Sequence, residues 1–212
     1  MRSPFPVGSK KLGNACMHNL ILCLAFWVLM IRMKVIAVQS SPNLDGLTSS
    51  LAQAALRGAK AMGGETELIH LNRLDIKPCI ACENGWGKCR DEGVCILEDD
   101  FQSLRDKIAK SDFLIFATPV YWHDLSESAK IFLDRLRRCE RAVDFRTFAG
   151  KKAIGIASAG GSGHGAVRAL YNLEDYLRRL GFAIFDLVTV TRFSKDHKLE
   201  MLEKAGRRLI KE

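Results

Sequence analysis

The spacing of hydrophobic residues alternates between two periods from Met33 onward. Short apolar runs predict five β-strands, at 34–38, 66–71, 112–117, 153–158 and 182–190. Segments with helical spacing follow them and predict helices over 47–62, 100–110, 126–139, 166–180 and from 195 onward. Most of the strand runs are almost continuously apolar, which is typical of strands buried on both faces of a parallel sheet. We therefore expect an α/β fold, a doubly wound parallel sheet of five strands with helices on both faces.

The loops that follow the strands carry the candidate chemistry. Ligands of such sheets bind beyond the carboxyl ends of the strands, at a switch point that lies between the first and third strands for the order 2-1-3-4-5. The first loop leads into Thr48, Ser49 and Ser50, where unpaired helix amides and the helix dipole favour an anion. The loop after the third strand carries Tyr121 and Trp122, and the loop after the fourth is glycine-rich. A phosphate in the first loop and a flat aromatic group between the other two match the shape of flavin mononucleotide (FMN).

Two alternatives apply to the first loop. A nucleoside triphosphate site would need the pattern GxxxxGK[ST], whereas this loop has no lysine and one glycine, Gly46. An ordinary helix start rich in serine and threonine stays open from this loop alone.

Length and charge narrow the class of protein. The 212 residues, 48% of them hydrophobic, suit a single domain. Of the net charge of +8, four charges lie in the first 32 residues, and the others follow helices without interleaved aromatic residues. This distribution gives nucleic-acid binding little support and is compatible with an anionic small-molecule partner.

The first 32 residues differ from the rest. An apolar run of twelve residues, 20–31, follows a basic segment, which suggests a signal peptide. The run is short for a membrane span, no Ala-x-Ala cleavage site follows it, and the first strand begins two residues after Arg32. We expect that translation starts at Met33, that residues 1–32 are an over-extended reading frame, and that 33–212 fold alone. An apolar membrane anchor is the alternative.

Four of the seven cysteines crowd into the connection over 72–99, at Cys79, Cys82, Cys89 and Cys95. Such crowding indicates ligation rather than the disulfide framework of a secreted protein, and agrees with a cytoplasmic location. A connection of this length inside a compact domain usually has a function. Four thiolates suit a [4Fe–4S] cluster or zinc, and free or regulatory thiols stay open as well.

Several segments together carry a resemblance to a known family: SSPNLDGLTSSL, KPCIAC with VCILEDDF, ATPVYW, AKIFLDRL and ASAGGSGHG. On these segments the chain resembles the NADPH-dependent FMN reductases of flavodoxin-like fold, and within them the iron–sulfur flavoproteins. The cysteine spacing C-x2-C-x6-C-x5-C is similar to the tighter C-x2-C-x2-C-x5-C of the iron–sulfur flavoproteins. Gly85 and Gly87 lie in the longer gap, where they would let the extra residues loop out.

The resemblance implies an NAD(P)H oxidoreductase with bound FMN, a possible [4Fe–4S] cluster on the four cysteines, a small-molecule or protein electron acceptor, and a homo-oligomer. The phosphate loop it implies comprises Ser41, Asn43, Gly46, Leu47 and Thr48. The implied ring contacts are Thr118, Pro119, Val120, Tyr121, Trp122, Ser158, Gly160 and Gly161. The chain departs from the family at Asn43, where a basic residue is frequent, at Leu47, where Asn is frequent, and at His123, where a small residue is usual.

Other interpretations compete for single motifs. The segment 161–166 satisfies the dinucleotide pattern GxGxxA, with Asp186 twenty residues beyond it, but that pattern normally lies in the first βα turn and Asp186 falls inside a predicted strand. Tyr121 and Trp122 could be simple rim aromatics, and Asp134 with Arg135 is expected to form a helix-surface or interface pair. No catalytic residue is assigned, because the flavin would carry the chemistry.

Two further classes of function stay open. One is a flavodoxin-like or iron–sulfur electron carrier that does not oxidise a nicotinamide directly. The other is a non-enzymatic metal-binding or redox-sensing module that uses the cysteines.

Overall fold

The computed structural model describes residues 33–211. The strands are β1 (Lys34–Gln39), β2 (Glu65–His70), β3 (Phe113–Pro119), β4 (Lys152–Ala159) and β5 (Ala183–Thr191). The α-helices are α1 (Leu47–Ala61), α2 (Phe101–Ala109), α3 (Glu127–Glu140), α4 (Ala166–Arg179) and α5 (Lys195–Lys211). Short 3₁₀ turns occupy Leu71–Arg73, Glu83–Gly85 and Arg141–Val143. The expectations for residues 1–32 lie outside the described residues.

The strands form one sheet in the order β2-β1-β3-β4-β5, and every pair is parallel. The fold class and strand order predicted from the sequence are therefore confirmed. Each predicted strand and helix overlaps its observed counterpart. Among the helices of residues 33–211, none has the length and apolarity needed to cross a membrane.

Alternate strand residues face two separate cores. Ile36, Leu114 and Phe116 face α2, α3 and α4, whereas Ala37 and Ile115 face α1 and α5. Because both faces are covered, the central strands have no exposed face, and β3 is buried at all seven positions. This is the physical reason for the continuous apolar runs in the sequence.

Helices α1 and α5 cross at two glycines. A Cβ atom at Gly206 would overlap the carbonyl oxygen of Ala55, and one at Gly58 would overlap that of Glu203. The two backbones therefore approach more closely than any side chain at these positions would permit. Leu202 and Leu209 on either side of Gly206 are fully buried against this core.

We predict that Gly206→Ala lowers the free energy of unfolding by at least about 3 kcal/mol, because the added methyl group forces the two helices apart. Urea unfolding followed by circular dichroism measures the change. The matched control Lys204→Ala, an exposed position on the same helix, should stay within about 0.5 kcal/mol of the parent. Equal stability of the two variants would show that the crossing is loose.

Candidate functional site

The carboxyl ends of β1 and β3 are joined to the start of α3 by buried hydroxyl groups. The Ser40 amide donates to the carbonyl of Ala117 at 2.9 Å, and the Ser126 hydroxyl donates to Ser40 Oγ at 2.8 Å. The Ser126 amide in turn donates to Thr118 Oγ1 at 3.1 Å. These bonds satisfy polar groups that would otherwise be buried without partners where the strands leave the sheet.

The first loop ends at an uncapped helix N-terminus. Gly46 occupies the cap position of α1, no side chain caps it, and the first turn holds no acidic residue. Within residues 33–211, the amides of Leu47, Thr48 and Ser49 make no hydrogen bond, since the first helical bond runs from the Ser50 amide to the Gly46 carbonyl. Three free donors and the positive end of the dipole of a 15-residue helix form a site for an anion.

The hydroxyl groups at the start of this helix have partners within the domain. Thr48 Oγ1 and Ser158 Oγ lie 2.8 Å apart and are buried, so they tie the start of α1 to the end of β4. The Ser50 hydroxyl donates to the Gly46 carbonyl at 3.1 Å, and Ser49 Oγ accepts from Gln53. In this structure the Ser50 proton therefore bonds within the helix.

The loop after β3 makes a tight turn with unusual backbone angles. Tyr121 and Asp124 exchange two backbone hydrogen bonds of 3.0 Å, and the residues between them, Trp122 and His123, have φ angles of 45° and 67°. Two consecutive positive φ angles are typical of a type I′ turn, which favours Asn and Gly over large side chains. Left-handed backbone at bulky residues costs energy and concentrates at functional sites. The turn presents the Trp122 side chain at 96% exposure.

An open pocket of about 370 Å³ lies between this turn and the loop after β4. Its lining includes Val120, Trp122, His123, Gly160 and Gly161. A Cβ atom at Gly165, where φ is 77°, would lie 2.5 Å from His123 Cα, so the two loops are in close contact. The volume falls within the range of small-molecule sites.

The predicted site residues accordingly gather at one edge of the sheet. Ser41, Asn43, Gly46, Leu47 and Thr48 form the end of β1 and the loop into α1. Thr118, Pro119 and Ser158 lie buried at the ends of β3 and β4, behind the pocket that Val120, Trp122, Gly160 and Gly161 line. Tyr121 is 40% exposed in the turn. Asp186 lies inside β5, where its carboxylate accepts from the Leu187 amide, so it is not at a strand end.

The connection with the four cysteines is anchored by a buried ion pair. Arg135 contacts both carboxylate oxygens of Asp99, at 2.5 and 3.1 Å, and donates to the carbonyl of Lys77 at 2.9 Å. Asp99 also accepts from the amides of Lys77 and Phe101. The side chains of Arg135 and Asp99 are 1% and 0% exposed. This pair therefore fixes both ends of the cysteine segment to α3.

The expected pairing of Asp134 with Arg135 at a helix surface or interface is wrong. Arg135 points into the domain, where its guanidinium stacks 4.3 Å over the ring of Phe101, whereas Asp134 bonds to Lys130 and Tyr176 at 2.5 Å each. Neighbouring residues on a helix face different directions, and Arg135 lies three positions from the buried Phe132. That spacing was the available signal that Arg135 belongs to the buried face.

Two more arginines donate to carbonyl groups of the same segment, and neither contact was predicted from the sequence. Arg105 donates to the carbonyl of Gly93 at 2.6 Å and pairs with the fully buried Glu140 at 2.8 Å. Arg138 donates to the carbonyl of Gly85 and lies 4.4 Å over the ring of Trp86. The residues of the longer cysteine gap are therefore not simply looped out, since Trp86 packs against the core.

The four cysteines line one pocket together with Cys139 of α3, Arg135 and Arg138. All five cysteines of residues 33–211 are free thiols. The interior volume is about 20 Å³, room for about one water molecule. Within the described residues, no three His, Cys, Asp or Glu side chains are arranged around a common metal position. The donor set thus has the chemistry for a cluster or zinc, and its members range from the exposed Cys79 to the buried Cys89 and Cys139. Burial raises the pKa of Cys139 to about 12, which keeps this thiol protonated.

We predict that Asp99→Asn lowers the free energy of unfolding at pH 7 by about 3 to 5 kcal/mol, because it leaves Arg135 buried without a counter-charge. Burial alone would raise the pKa of Asp99, but the hydrogen bonds from Arg135, Lys77 and Phe101 outweigh it and hold the pKa below its usual value. The carboxylate therefore contributes stability above its unfolded-state pKa, and this contribution is lost as the pH falls through the lower folded-state value.

Urea unfolding at pH 7 and at a series of pH values below 5 tests this prediction. The difference between parent and variant should shrink in acid. Asp75→Asn, which alters a solvent-exposed pair with Lys77 in the same segment, should change stability by less than about 1 kcal/mol at every pH. A difference for Asp99→Asn that is independent of pH would contradict the proposed anchor.

The sheet order, the uncapped N-terminus of α1 and the open pocket beyond the carboxyl ends of β3 and β4 define a flavodoxin-like α/β protein. Comparison with known sequences supplies the family. Residues 33–193 match the model of the NADPH-dependent FMN reductase family, and the chain belongs to that family.

Named relatives agree with this assignment, and a solved structure agrees with the fold. The chain is 34% identical over 130 residues to an iron–sulfur flavoprotein of Methanocaldococcus jannaschii, an alignment that covers 61% of this chain and 65% of the relative. It is 30% identical over 132 residues to a putative NAD(P)H-dependent FMN-containing oxidoreductase of Bacillus subtilis, covering 61% and 67%. An NAD(P)H:quinone oxidoreductase structure from Methanothermobacter marburgensis is similar in fold, with a TM-score of 0.68, 20% identity and coverage of 84% and 99%.

Proposed function

We propose that the protein is an FMN-dependent oxidoreductase that takes electrons from NAD(P)H and passes them to a flavin, a quinone or another acceptor. The observation that carries this proposal is the uncapped N-terminus of α1 beside the open pocket between the loops after β3 and β4. The family, and a relative whose name includes NAD(P)H and FMN, support it.

The phosphate of FMN would bind the free amides of Leu47, Thr48 and Ser49. These donors and the helix dipole supply attraction without any lysine or arginine in the loop. Gly46 at the cap position matters because a side chain there would crowd Asn43, whose side-chain atoms lie 3.1 Å from a Cβ at this position. Ser41, Asn43 and Gly46 therefore shape the loop, and Leu47 and Thr48 hold the phosphate.

The flavin ring would lie in the open pocket. We assign its contacts to Thr118, Pro119, Val120, Tyr121 and Trp122 on one side and to Ser158, Gly160 and Gly161 on the other. When bound, the flavin accepts a hydride from the nicotinamide and returns two electrons to the acceptor. The protein would hold the ring between two fixed loops and cover one side of it with Trp122 and His123. No general base is needed, and we assign no catalytic residue.

The partners and location follow from the family resemblance. We infer a small-molecule or protein electron acceptor and a homo-oligomer. Free thiols within the described residues suit the reducing cytoplasm, where we place the protein.

We predict that Thr48→Val weakens FMN binding by about 1 to 3 kcal/mol, because it removes the hydroxyl that joins the phosphate loop to Ser158 and can bond a charged ligand. Ser41→Ala should have an effect in the same range. Titration of flavin fluorescence measures both. Ser103→Ala, whose hydroxyl bonds within α2 away from this edge, serves as the control.

Anaerobic mixing with NADPH or NADH then tests the activity. In a reductase, the nicotinamide reduces the bound flavin rapidly, and the flavin absorbance falls. A flavin that only dithionite or reduced ferredoxin reduces would favour the electron carrier. Unchanged FMN affinity in both Thr48→Val and Ser41→Ala would reduce the loop to an ordinary helix start.

A second candidate function concerns the thiol pocket. The convergence of four cysteines on one pocket, and relatives named iron–sulfur flavoproteins, favour a [4Fe–4S] cluster held by Cys79, Cys82, Cys89 and Cys95. Arg135 and Arg138 line the same pocket, so they would balance the charge of the thiolates. Such a cluster supplies one-electron steps and would suit an electron carrier as well as a reductase.

We predict that protein purified without oxygen and reconstituted with iron and sulfide holds about four iron and four sulfide per chain, and that Cys89→Ser abolishes this loading. Chemical iron and sulfide assays, with zinc measured in parallel, give the counts. Cys139→Ser is the matched control, because Cys139 lines the pocket but is not an assigned ligand. Negligible iron in the parent, with NAD(P)H oxidation intact in Cys89→Ser, would leave a plain flavin reductase.

A further inference from the structure

The loop that leaves β1 is shaped by three side chains in succession, each of which accepts a hydrogen bond from the amide two residues ahead. Gln39 Oε1 accepts from the Ser41 amide at 2.8 Å, Ser41 Oγ from the Asn43 amide at 3.2 Å, and Asn43 Oδ1 from the Asp45 amide at 3.1 Å. This series of bonds sets the course of the loop up to Gly46.

Gln39 starts the series and is the only one of the three that is fully buried. Its amide also donates from Nε2 to the Ser41 carbonyl at 3.1 Å. A backbone amide only donates and a carbonyl only accepts, so these two contacts fix which end of the Gln39 amide faces which group. Gln39 thus holds both backbone polar groups of Ser41.

The same Nε2 lies 2.6 Å from Nδ1 of His70, the residue paired with Gln39 in the register of β1 and β2. Because the Gln39 amide nitrogen only donates, His70 Nδ1 must accept. The imidazole proton therefore lies on His70 Nε2. The orientation of the Gln39 amide, and through it the first step of the loop, is therefore held from the neighbouring strand.

We propose that Gln39 and His70 are positioning residues that set the phosphate loop and so determine the preference for FMN over a flavin without phosphate. This inference rests on the proposed FMN site. Neither residue needs to touch the ligand. Their action runs through Ser41 to the amides of Leu47, Thr48 and Ser49, which are aligned only if the loop enters α1 along this course.

Paired titrations with FMN and riboflavin, which differ by the phosphate, test the proposal on the full chain. In Gln39→Met, which keeps the approximate length of the side chain and loses all three hydrogen bonds, FMN affinity should fall about tenfold to a hundredfold. Riboflavin affinity should change less than about threefold, since the ring pocket between β3 and β4 is untouched.

Two variants of His70 distinguish the role of its hydrogen-bond acceptor, Nδ1, from that of its side-chain volume. His70→Leu removes the acceptor and should weaken FMN about threefold to tenfold, whereas His70→Asn, whose Oδ1 can replace Nδ1, should stay within about threefold of the parent. Glu67→Gln, at a partly exposed position of β2, is the control for strand substitutions. Thermal melts without ligand establish that each variant is folded.

The outcomes divide cleanly. Loss of FMN affinity with riboflavin affinity retained, and recovery in His70→Asn, supports the proposal. Equal losses for both ligands, no loss in Gln39→Met, or a parent that binds FMN and riboflavin equally well overturns it and leaves a flavin-binding protein. A parent that binds neither ligand overturns the proposed function itself.

Discussion

The structure depends on a constraint that every parallel sheet faces: all strands end at one edge, and the chain must leave that edge with its backbone polar groups buried. Here Ser40, Thr118 and Ser158 are within 3% of full burial and bond to groups of other segments. An unsatisfied buried polar group costs about 1 to 3 kcal/mol. The hydroxyl groups therefore hold the three loops at fixed distances without a ligand. The same hydrogen bonds that satisfy the buried polar groups of this edge thus shape the candidate site.

Helix α3 connects the two candidate sites. Its first turn begins at Ser126, which bonds to the end of β1, and its later turns carry Arg135 and Cys139 into the thiol pocket. The helix is 14 residues long, or about 20 Å. A single packed element of this kind keeps the separation between the sites constant. The long cysteine connection gains order from the same helix, since Arg135 and Arg138 reach its carbonyl groups.

Periodicity was sufficient to predict the sheet, because strands buried on both faces need continuous apolar runs and the chain has no competing pattern in β1, β3 and β4. The expected strand order agreed with the loops, which concentrate hydroxyls, aromatics and glycine after those three strands. The unpaired amides at the start of α1 could also be predicted from the sequence, because the prediction requires only a strand, a short loop and a helix in succession.

Contacts that join distant segments were not within reach. Arg135 was assigned to a surface because a charged residue beside Asp134 usually lies there, and its partner Asp99 is 36 positions away. The contact between Gln39 and His70 depends on strand register, and the left-handed turn at Trp122 and His123 lacks the Asn and Gly that are typical of its central positions. The four cysteines were predicted as a set of ligands, but the presence of Cys139 in the same pocket and the role of the arginines depend on tertiary structure.

The close crossing of α1 and α5 has a consequence for synthesis of the chain on the ribosome. The face of α1 that contains Gly58 and Leu51 is covered by α5, and nearly the whole domain is translated between the two helices. Until α5 emerges, this apolar face has no partner, so the domain cannot complete its fold and is exposed to aggregation or to chaperones. The two glycines then let the backbone of α5 approach that of α1 with no side chain between them, while Leu202 and Leu209 order on either side of the crossing.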